Sequence, residues 1–517
     1  MKALLMYPDR DFDLQQPLPW NEISLRQDLE LGTLFDAMAG SDKFLLEVCQ
    51  KALLTAMTND CDVILHRQRI LKDCLRNAQT IREMYDLVVN SLEAARREWW
   101  GLSSYYPSSV LYSSNELLEA FVGALRRLRN IGQEHGSSFE SSGFITLFAM
   151  FSKELSEDYL GEVQQHLSTL QFHSGVFFSA TLGDSNESTG YVLLEPHGKE
   201  PNWFERLIGK RAPGYTYQLD PRDEAGARIL SEMRSRAISR VARALAQSGD
   251  HVVSFFKMLR TELAFYIGCL NLHDALAGIG LPVVIPEPET SGARRHNVRG
   301  LYDVCLALQT RTGIVANSVN ADGRSLVMIT GANQGGKSTF LRSIGIAQVM
   351  MQCGMFVGAE MFIAEVCPAL LTHYKREEDT ALKSGKLDEE LARMSEIVDH
   401  VRPDSLVLFN ESFAATNERE GSEIARQIVS ALLEKRVKIF YVTHLYEFAR
   451  TLFNQKNDAM LFLRAERSPD GRRTFKLTEA EPLQTSYGPD LYQKIFLAET
   501  ASPPLERVAI DSAADCT

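Results

Sequence analysis

The sequence predicts a multidomain chain: an α-helical core and lever region with a small β insertion, followed by an α/β P-loop domain. Three observations carry this prediction. Residues 1–167 and 221–290 repeat apolar side chains at helical spacing. Residues 168–220 change to strand-like runs around a polar turn. From about residue 291 to 500, apolar runs of strand length are joined to helical patterns, and one such junction holds a glycine-rich loop. A chain of 517 residues suggests two to four domains.

Each element follows from local pattern. Thr33-Leu-Phe-Asp-Ala-Met38, Asp42-Lys-Phe-Leu-Leu-Glu-Val48 and Asn115-Glu-Leu-Leu-Glu-Ala-Phe-Val-Gly-Ala-Leu125 have helical periodicity, which residues 99–107 interrupt. Ser174-Gly-Val-Phe-Phe-Ser-Ala180 and Gly190-Tyr-Val-Leu-Leu-Glu195 flank the polar stretch from Gly183 to Gly190, a β-hairpin pattern. From Asp223 to about Leu281 the spacing is helical again and long enough for a lever; Pro282, Pro286 and Pro288 end it. Residues 501–517 contain Pro503-Pro504 and few large apolar groups, which predicts a disordered tail.

The glycine-rich loop is Gly331-Ala-Asn333-Gln-Gly335-Gly336-Lys337-Ser338-Thr339, a match to G-x-x-x-x-G-K-[ST]. The apolar run Ser325-Leu-Val-Met-Ile-Thr330 precedes it, and a helical pattern begins at Phe340. Glycine leaves the backbone N–H groups open to phosphate oxygens. The helix N-terminus adds free N–H groups and partial positive charge. Lys337 is then placed to reach the β- and γ-phosphates of a nucleoside triphosphate, and the Ser338 hydroxyl to ligate Mg²⁺. Further on, Ser405-Leu-Val-Leu-Phe409 is an apolar strand ending in Asn410-Glu411. A polar residue at the carboxyl end of a buried parallel strand faces the ligand crevice. Asn410 stands where an aspartate would hold Mg²⁺, often through water. Glu411 is placed to orient or activate an attacking water, its alternative being a solvated loop acid. A third strand, Val437-Lys-Ile-Phe-Tyr-Val442, ends in Thr443-His444. That histidine is placed to bond the γ-phosphate and report its presence; otherwise it is an ordinary strand-end residue.

Composition narrows the class. Hydrophobic residues make up 45% and charged residues 24%, as in ordinary globular chains. Eight cysteines form no C-x-x-C pair, which predicts buried thiols or spectators in a reducing compartment. Eleven histidines show no metal-ligand spacing. The N-terminal apolar run is too short for a signal peptide, and no stretch approaches ~20 apolar residues, so a cytoplasmic protein that spans no membrane is expected. A net charge of −12 argues against non-specific nucleic-acid binding by the whole surface, though not by a local basic face.

Thr330-Gly-Ala-Asn-Gln-Gly-Gly-Lys-Ser-Thr-Phe-Leu-Arg342, then Cys353-Gly-Met-Phe-Val-Gly-Ala359, resembles the ATPase domain of the MutS DNA mismatch-repair family. So do Val315-Ala-Asn-Ser-Val319, Thr443-His444 and Ser486-Tyr487-Gly488; together they cover roughly residues 295–490. The run from Phe255 to His273 resembles the family's long helix entering its ATPase. Asp28-Leu-Glu-Leu-Gly-Thr-Leu-Phe35 with Arg67-Gln-Arg-Ile-Leu-Lys-Asp-Cys-Leu-Arg76 resembles the start of its helical core. The resemblance implies an ATPase domain of the ABC/MutS type that uses ATP and Mg²⁺ and pairs face to face in an ATP-dependent homodimer. It implies that each site takes a serine from the opposite subunit. Ser384, in Leu382-Lys-Ser384-Gly385-Lys386, occupies that place, which a plain helix-entry loop also fits. Departures are visible. The family's Walker B aspartate is Asn410, and its following Gly-Arg-Gly-Thr loop is Ser412-Phe-Ala-Ala-Thr416. The core-like pattern begins by about residue 25, leaving no room for a mismatch-reading domain, and little chain follows Gly488 for dimerising helices.

DNA is the expected partner. Arg234, Arg236 and Arg240 belong to a basic run, with Arg222, Arg228 and Arg243, that helical spacing spreads over a broad face. The alternative is a solvated face laced with Glu224 and Glu232. Arg206, Lys210 and Arg211, near Trp203 and Phe204, form a second basic group in the insertion, where the family carries its clamp. The expected function is a slow ATPase, its Walker B aspartate replaced by Asn410, that grips branched, ended or duplex DNA by shape or backbone in repair or recombination, with possible repair-protein partners. The alternatives are a nucleotide-gated scaffold that hydrolyses little and recruits proteins, and a small-molecule P-loop kinase, which Glu411 and His444 argue against.

Overall fold

Helix ends follow the capping chemistry written in the sequence. The computed structural model describes residues 1–99, 106–173, 175–184, 187–194, 218–376, 385–467 and 473–483. The basic group at 206–211, Ser384, the 486–488 motif and the 501–517 tail lie outside these residues, as does most of the 99–107 break. The chain divides into two compact units, one of residues 1–19, 32–281 and 350–356, the other of 20–31, 282–349 and 357–517.

Two short helices, α1 (Glu22–Asp28) and α2 (Leu31–Ala39), open the helical series. The α1 helix falls in the second unit; the first holds α3 (Lys43–Leu54), α4 (Cys61–Arg76), α5 (Ala78–Trp99), α6 (Pro107–His135), α7 (Ser142–Glu154) and α8 (Glu157–Thr169). Asp42, Asp60, Ser141 and Ser156 cap α3, α4, α7 and α8 by accepting from backbone N–H groups, and Pro107 opens α6, where its missing N–H costs nothing. The antiparallel strands β1 (Phe178–Leu182) and β2 (Ser188–Leu193) form the insertion. Leu193 and Val176 pack on Leu111, Ile238 and Ala242.

Helix α9 (Glu224–Ile279) has 56 residues, a rise of roughly 84 Å. Asp223 caps its start by accepting from Gly226 N–H, and Gly280 ends it in the left-handed region at φ 77°. Its first turns are mostly exposed, whereas residues from Phe255 to Leu272 are nearly all buried against α3, α5 and α6. A helix apolar on every side is buried on every side. Glu262 lies inside that buried stretch. Its carboxylate accepts from Leu5, Met6 and Phe12 N–H, the last at 2.9 Å, which fixes residues 5–12 to α9. Buried Arg67 completes the attachment, donating from Nε to Met6 O at 2.8 Å and stacking on Tyr7.

The second unit holds two sheets. The four-stranded sheet runs β3 (Glu287–Glu289), β7 (Met361–Glu365), β4 (His296–Leu301), β5 (Asn317–Asn320). The six-stranded sheet has the order β12-β11-β6-β10-β9-β8, with β6 (Leu326–Thr330), β8 (Leu370–Tyr374), β9 (Leu406–Asn410), β10 (Lys438–Val442), β11 (Met460–Arg467) and β12 (Arg473–Glu479). Its strands are parallel except β12. Every residue of β6, β8 and β10 is buried, which is why none of them alternates polar and apolar residues; β6 and β10 are nearly continuous apolar runs, and β8 buries Thr372 and His373 as well. The helices are α10 (Val304–Thr310), α11 (Lys337–Gln352), α12 (Lys386–His400), α13 (Glu418–Glu434) and α14 (Tyr446–Asn454). Met328, Phe409, Val429, Tyr441 and Phe448 lie in the core between sheet and helices.

Candidate functional site

The strand order puts the carboxyl ends of β6, β10 and β9 side by side, so the residues that follow them share one edge. After β6 the chain turns through Gly331 (φ 114°), Gln334 (φ 60°) and Gly336 (φ 86°) before α11 begins at Lys337. A Cβ on Gly331 would sit 2.9 Å from Ala465 N, and one on Gly335 2.9 Å from Ala332 O, so β11 and the loop itself require glycine at both. Asn333 is exposed, and Thr339 is half-buried in the first turn of α11.

Lys337 is almost wholly buried. Its ammonium donates to Gly331 O at 2.8 Å and Ala332 O at 2.9 Å, two carbonyls of its own loop. Burial lowers its pKa, and the nearby Glu411 charge opposes that shift. Ser338 Oγ donates to Asn410 Oδ1 at 2.8 Å, which unites the loop with the end of β9. Glu411 follows at φ 53°, its N–H bonded to Val442 O at 2.9 Å. Exposed His444 places Nδ1 4.0 Å from Glu411 Oε2. The loop, Lys337, Ser338, Asn410, Glu411 and His444 are thus brought together; Ser384 is outside the described residues.

The donor set suits a hard divalent ion that keeps most of its waters. Ser338 Oγ and Asn410 Oδ1 are neutral oxygens side by side, and Glu411 is the adjacent carboxylate. Mg²⁺ is typically held by one or two protein oxygens with water and phosphate completing six. Among the described residues no cluster of three or more His, Cys, Asp or Glu could hold a metal unaided.

Two further residues border the loop. Arg473 Nη1 on β12 donates to Gln334 Oε1, and Phe475, at φ 58° and 44% exposed, sits beside Gly336. Asn317 fixes this strand from both sides, donating to Phe475 O at 3.1 Å and accepting from Leu477 N–H at 2.8 Å. The Val315–Val319 motif hints at Asn317, but nothing local in the sequence marks Arg473 or Phe475.

The arginine candidates lie on the exposed first half of α9. At 100° per residue Arg236 and Arg240 share a face, while Arg234 points about 160° away from Arg236. Arg236 pairs with Glu232 at 2.7 Å. The broad basic face of the sequence therefore narrows to Arg236, Arg240 and the exposed Arg243 one turn further on, and part of its charge is spent within the helix.

Comparison with known proteins gives two family matches. Residues 59–279 match the MutS2 N-terminal domain and residues 327–505 match MutS domain V. The chain is 26% identical over 268 residues to the DNA mismatch repair protein MutS of Leptospira interrogans, covering 49% of this chain and 31% of that protein. It is 24% identical over 303 residues to human MutS protein homolog 4, covering 57% and 31%. It is 30% identical over 207 residues to DNA mismatch repair protein spellchecker 1 of Drosophila melanogaster, covering 39% and 22%. The matched stretch thus spans a third or less of the length of these relatives. No described helix is long and apolar enough to cross a membrane.

Proposed function

This chain belongs to the MutS-like DNA mismatch-repair family, and from that premise we propose that it binds ATP with Mg²⁺ on the 331–339 loop, hydrolyses it slowly, and couples pairing of two such ATPase domains to a grip on DNA. One observation carries the reading: the glycine loop, the Ser338–Asn410 pair and Glu411 meet at adjacent strand ends. Lys337 exchanges the carbonyls of Gly331 and Ala332 for β- and γ-phosphate oxygens, whose charge restores the basicity that burial removes. Ser338, and Asn410 through water, would hold Mg²⁺, which would offset charge on the phosphates. Glu411 orients the attacking water and His444 responds to the γ-phosphate. Ser384 of the opposing copy completes the site. Arg236 and Arg240 contact DNA backbone, so shape rather than a mispair is gripped.

Asn410 sets the rate. A carboxamide oxygen still accepts from a metal-bound water but brings no negative charge. Charged hydrogen bonds contribute about 1.5–3 kcal/mol each, so turnover about ten- to a hundredfold below an aspartate enzyme follows. The same neutral Ser338–Asn410 pair favours, as a second reading, a nucleotide-gated scaffold that recruits repair proteins.

ATP binding and turnover in three variants test this. Lys337→Ala abolishes binding. Glu411→Gln keeps binding and stops turnover, and parent-like hydrolysis there removes Glu411 from its role. Asn410→Asp leaves turnover unchanged or raises it; a fall shows that asparagine is tuned to its site. A parent with no turnover but intact ATP binding supports the scaffold.

A further inference from the structure

The two residues either side of Ser412 hold an uncommon backbone. Glu411 has φ 53° and Phe413 φ 62°, both left-handed and neither glycine. Such a turn persists only where its surroundings over-determine it. Here both sides of the turn are engaged by buried partners. Ser412 O accepts from Tyr441 Oη–H at 3.0 Å. Phe413 N–H donates to Glu390 Oε2 at 2.8 Å. Ser412 Oγ lies 2.7 Å from His373 Nδ1 and 2.6 Å from His373 O, while His373 Nε2 lies 2.9 Å from Glu390 O. A carbonyl only accepts, so Nε2 carries the proton in the neutral ring, and the one Ser412 Oγ–H is shared between His373 O, to which it donates, and the unprotonated Nδ1. Burial, with Arg393 and Arg376 nearby, lowers the His373 pKa to about 4 and keeps that neutral form at physiological pH. Phe413 stacks on His373 with centroids 5.2 Å apart, and a Cβ on Gly421 would come within 2.3 Å of Phe413 O, so α13 closes the turn from outside.

We infer that His373, Ser412, Glu390 and Tyr441 are positioning residues, a buried clamp that holds the left-handed turn and so aims Glu411. None of the four touches the phosphate loop; they act through the backbone of residues 411–413. The inference rests on the reading of Glu411 as the water-orienting acid. It also makes α12, through Glu390, an element whose displacement would release that acid.

The test measures ATP·Mg²⁺ affinity, kcat and thermal melting of the full chain. Ser412→Ala removes the hydroxyl bonded to His373, and Glu390→Leu removes the acceptor for Phe413 N–H. A misplacement near 1 Å costs up to about a hundredfold in rate, so kcat falls about ten- to a hundredfold in both while ATP affinity holds. Glu390→Gln, which keeps an acceptor oxygen, restores kcat relative to Glu390→Leu. Tyr441→Phe keeps its ring on Phe409, loses one bond and shows a smaller fall in kcat; it reads the clamp if a harsher variant fails to fold. Parent-like kcat in folded Ser412→Ala and Tyr441→Phe overturns the clamp, as does ATP affinity falling in step with kcat. Glu411→Gln distinguishes the two readings: if it stops turnover, the acid's role stands whatever the clamp variants do; if it turns over like the parent, both readings fall.

Discussion

His373 gives the second unit a pH signature. The unfolded ring takes its proton near pH 6.5, but burial, with Arg393 and Arg376 nearby, outweighs the opposing pull of the Glu390 carbonyl, and the folded ring takes it only at about pH 4. Between those values the unfolded chain binds more protons, so stability rises with pH. The contribution is fully present above 6.5 and lost as pH falls toward 4, at about 3 kcal/mol. Urea midpoints of parent and His373→Gln should therefore converge on acidification, with the parent falling more steeply. Parallel pH profiles would show that the ring protonates in place. In the sequence this residue is one histidine in an apolar strand, Leu370-Leu-Thr-His-Tyr374, indistinguishable from a bland core position. Its partners come from a turn, a helix and another strand, which no local pattern unites.

At the level of elements, legibility tracks the range of the interactions. The loop from Gly331 to Thr339 is legible because one short segment contains both the glycines and the helix N-terminus they serve. The ends of α9 are legible because Asp223 and Gly280 act on their own neighbours. The return of β12 over the loop is not, since Asn317 and Phe475 are 158 residues apart. The basic run of α9 is legible as charge but not as a surface, because Glu232 engages Arg236 and helical phase turns Arg234 aside. This fixes the salt dependence of DNA binding. Each phosphate contact contributes about −0.9 to the log–log salt slope, so replacing Arg236 and Arg240 together with Ala should flatten it by about two. Replacing Arg234 should leave the slope unchanged if one face meets DNA. An effect of Arg234 equal to that of Arg240 would mean that DNA wraps the helix.

For the molecule as a whole, the composite-site reading predicts an ATP-dependent dimer. Trapping ATP with Glu411→Gln should produce a stable dimer in sedimentation at micromolar protein; a monomer there would leave Ser384 without a role. A carboxylate described in the fold bears on synthesis as well. Glu262 holds Leu5 and Phe12, positions 257 and 250 residues earlier in the chain. Translation proceeds at about 5–20 residues per second, so residues 5–12 wait on the order of 12–50 seconds for their partner to emerge. Throughout that interval Leu5, Met6 and Phe12, all buried in the finished fold, lack the carboxylate that holds them there. The native attachment of residues 5–12 in the first unit thus waits on the synthesis of one glutamate far along the chain.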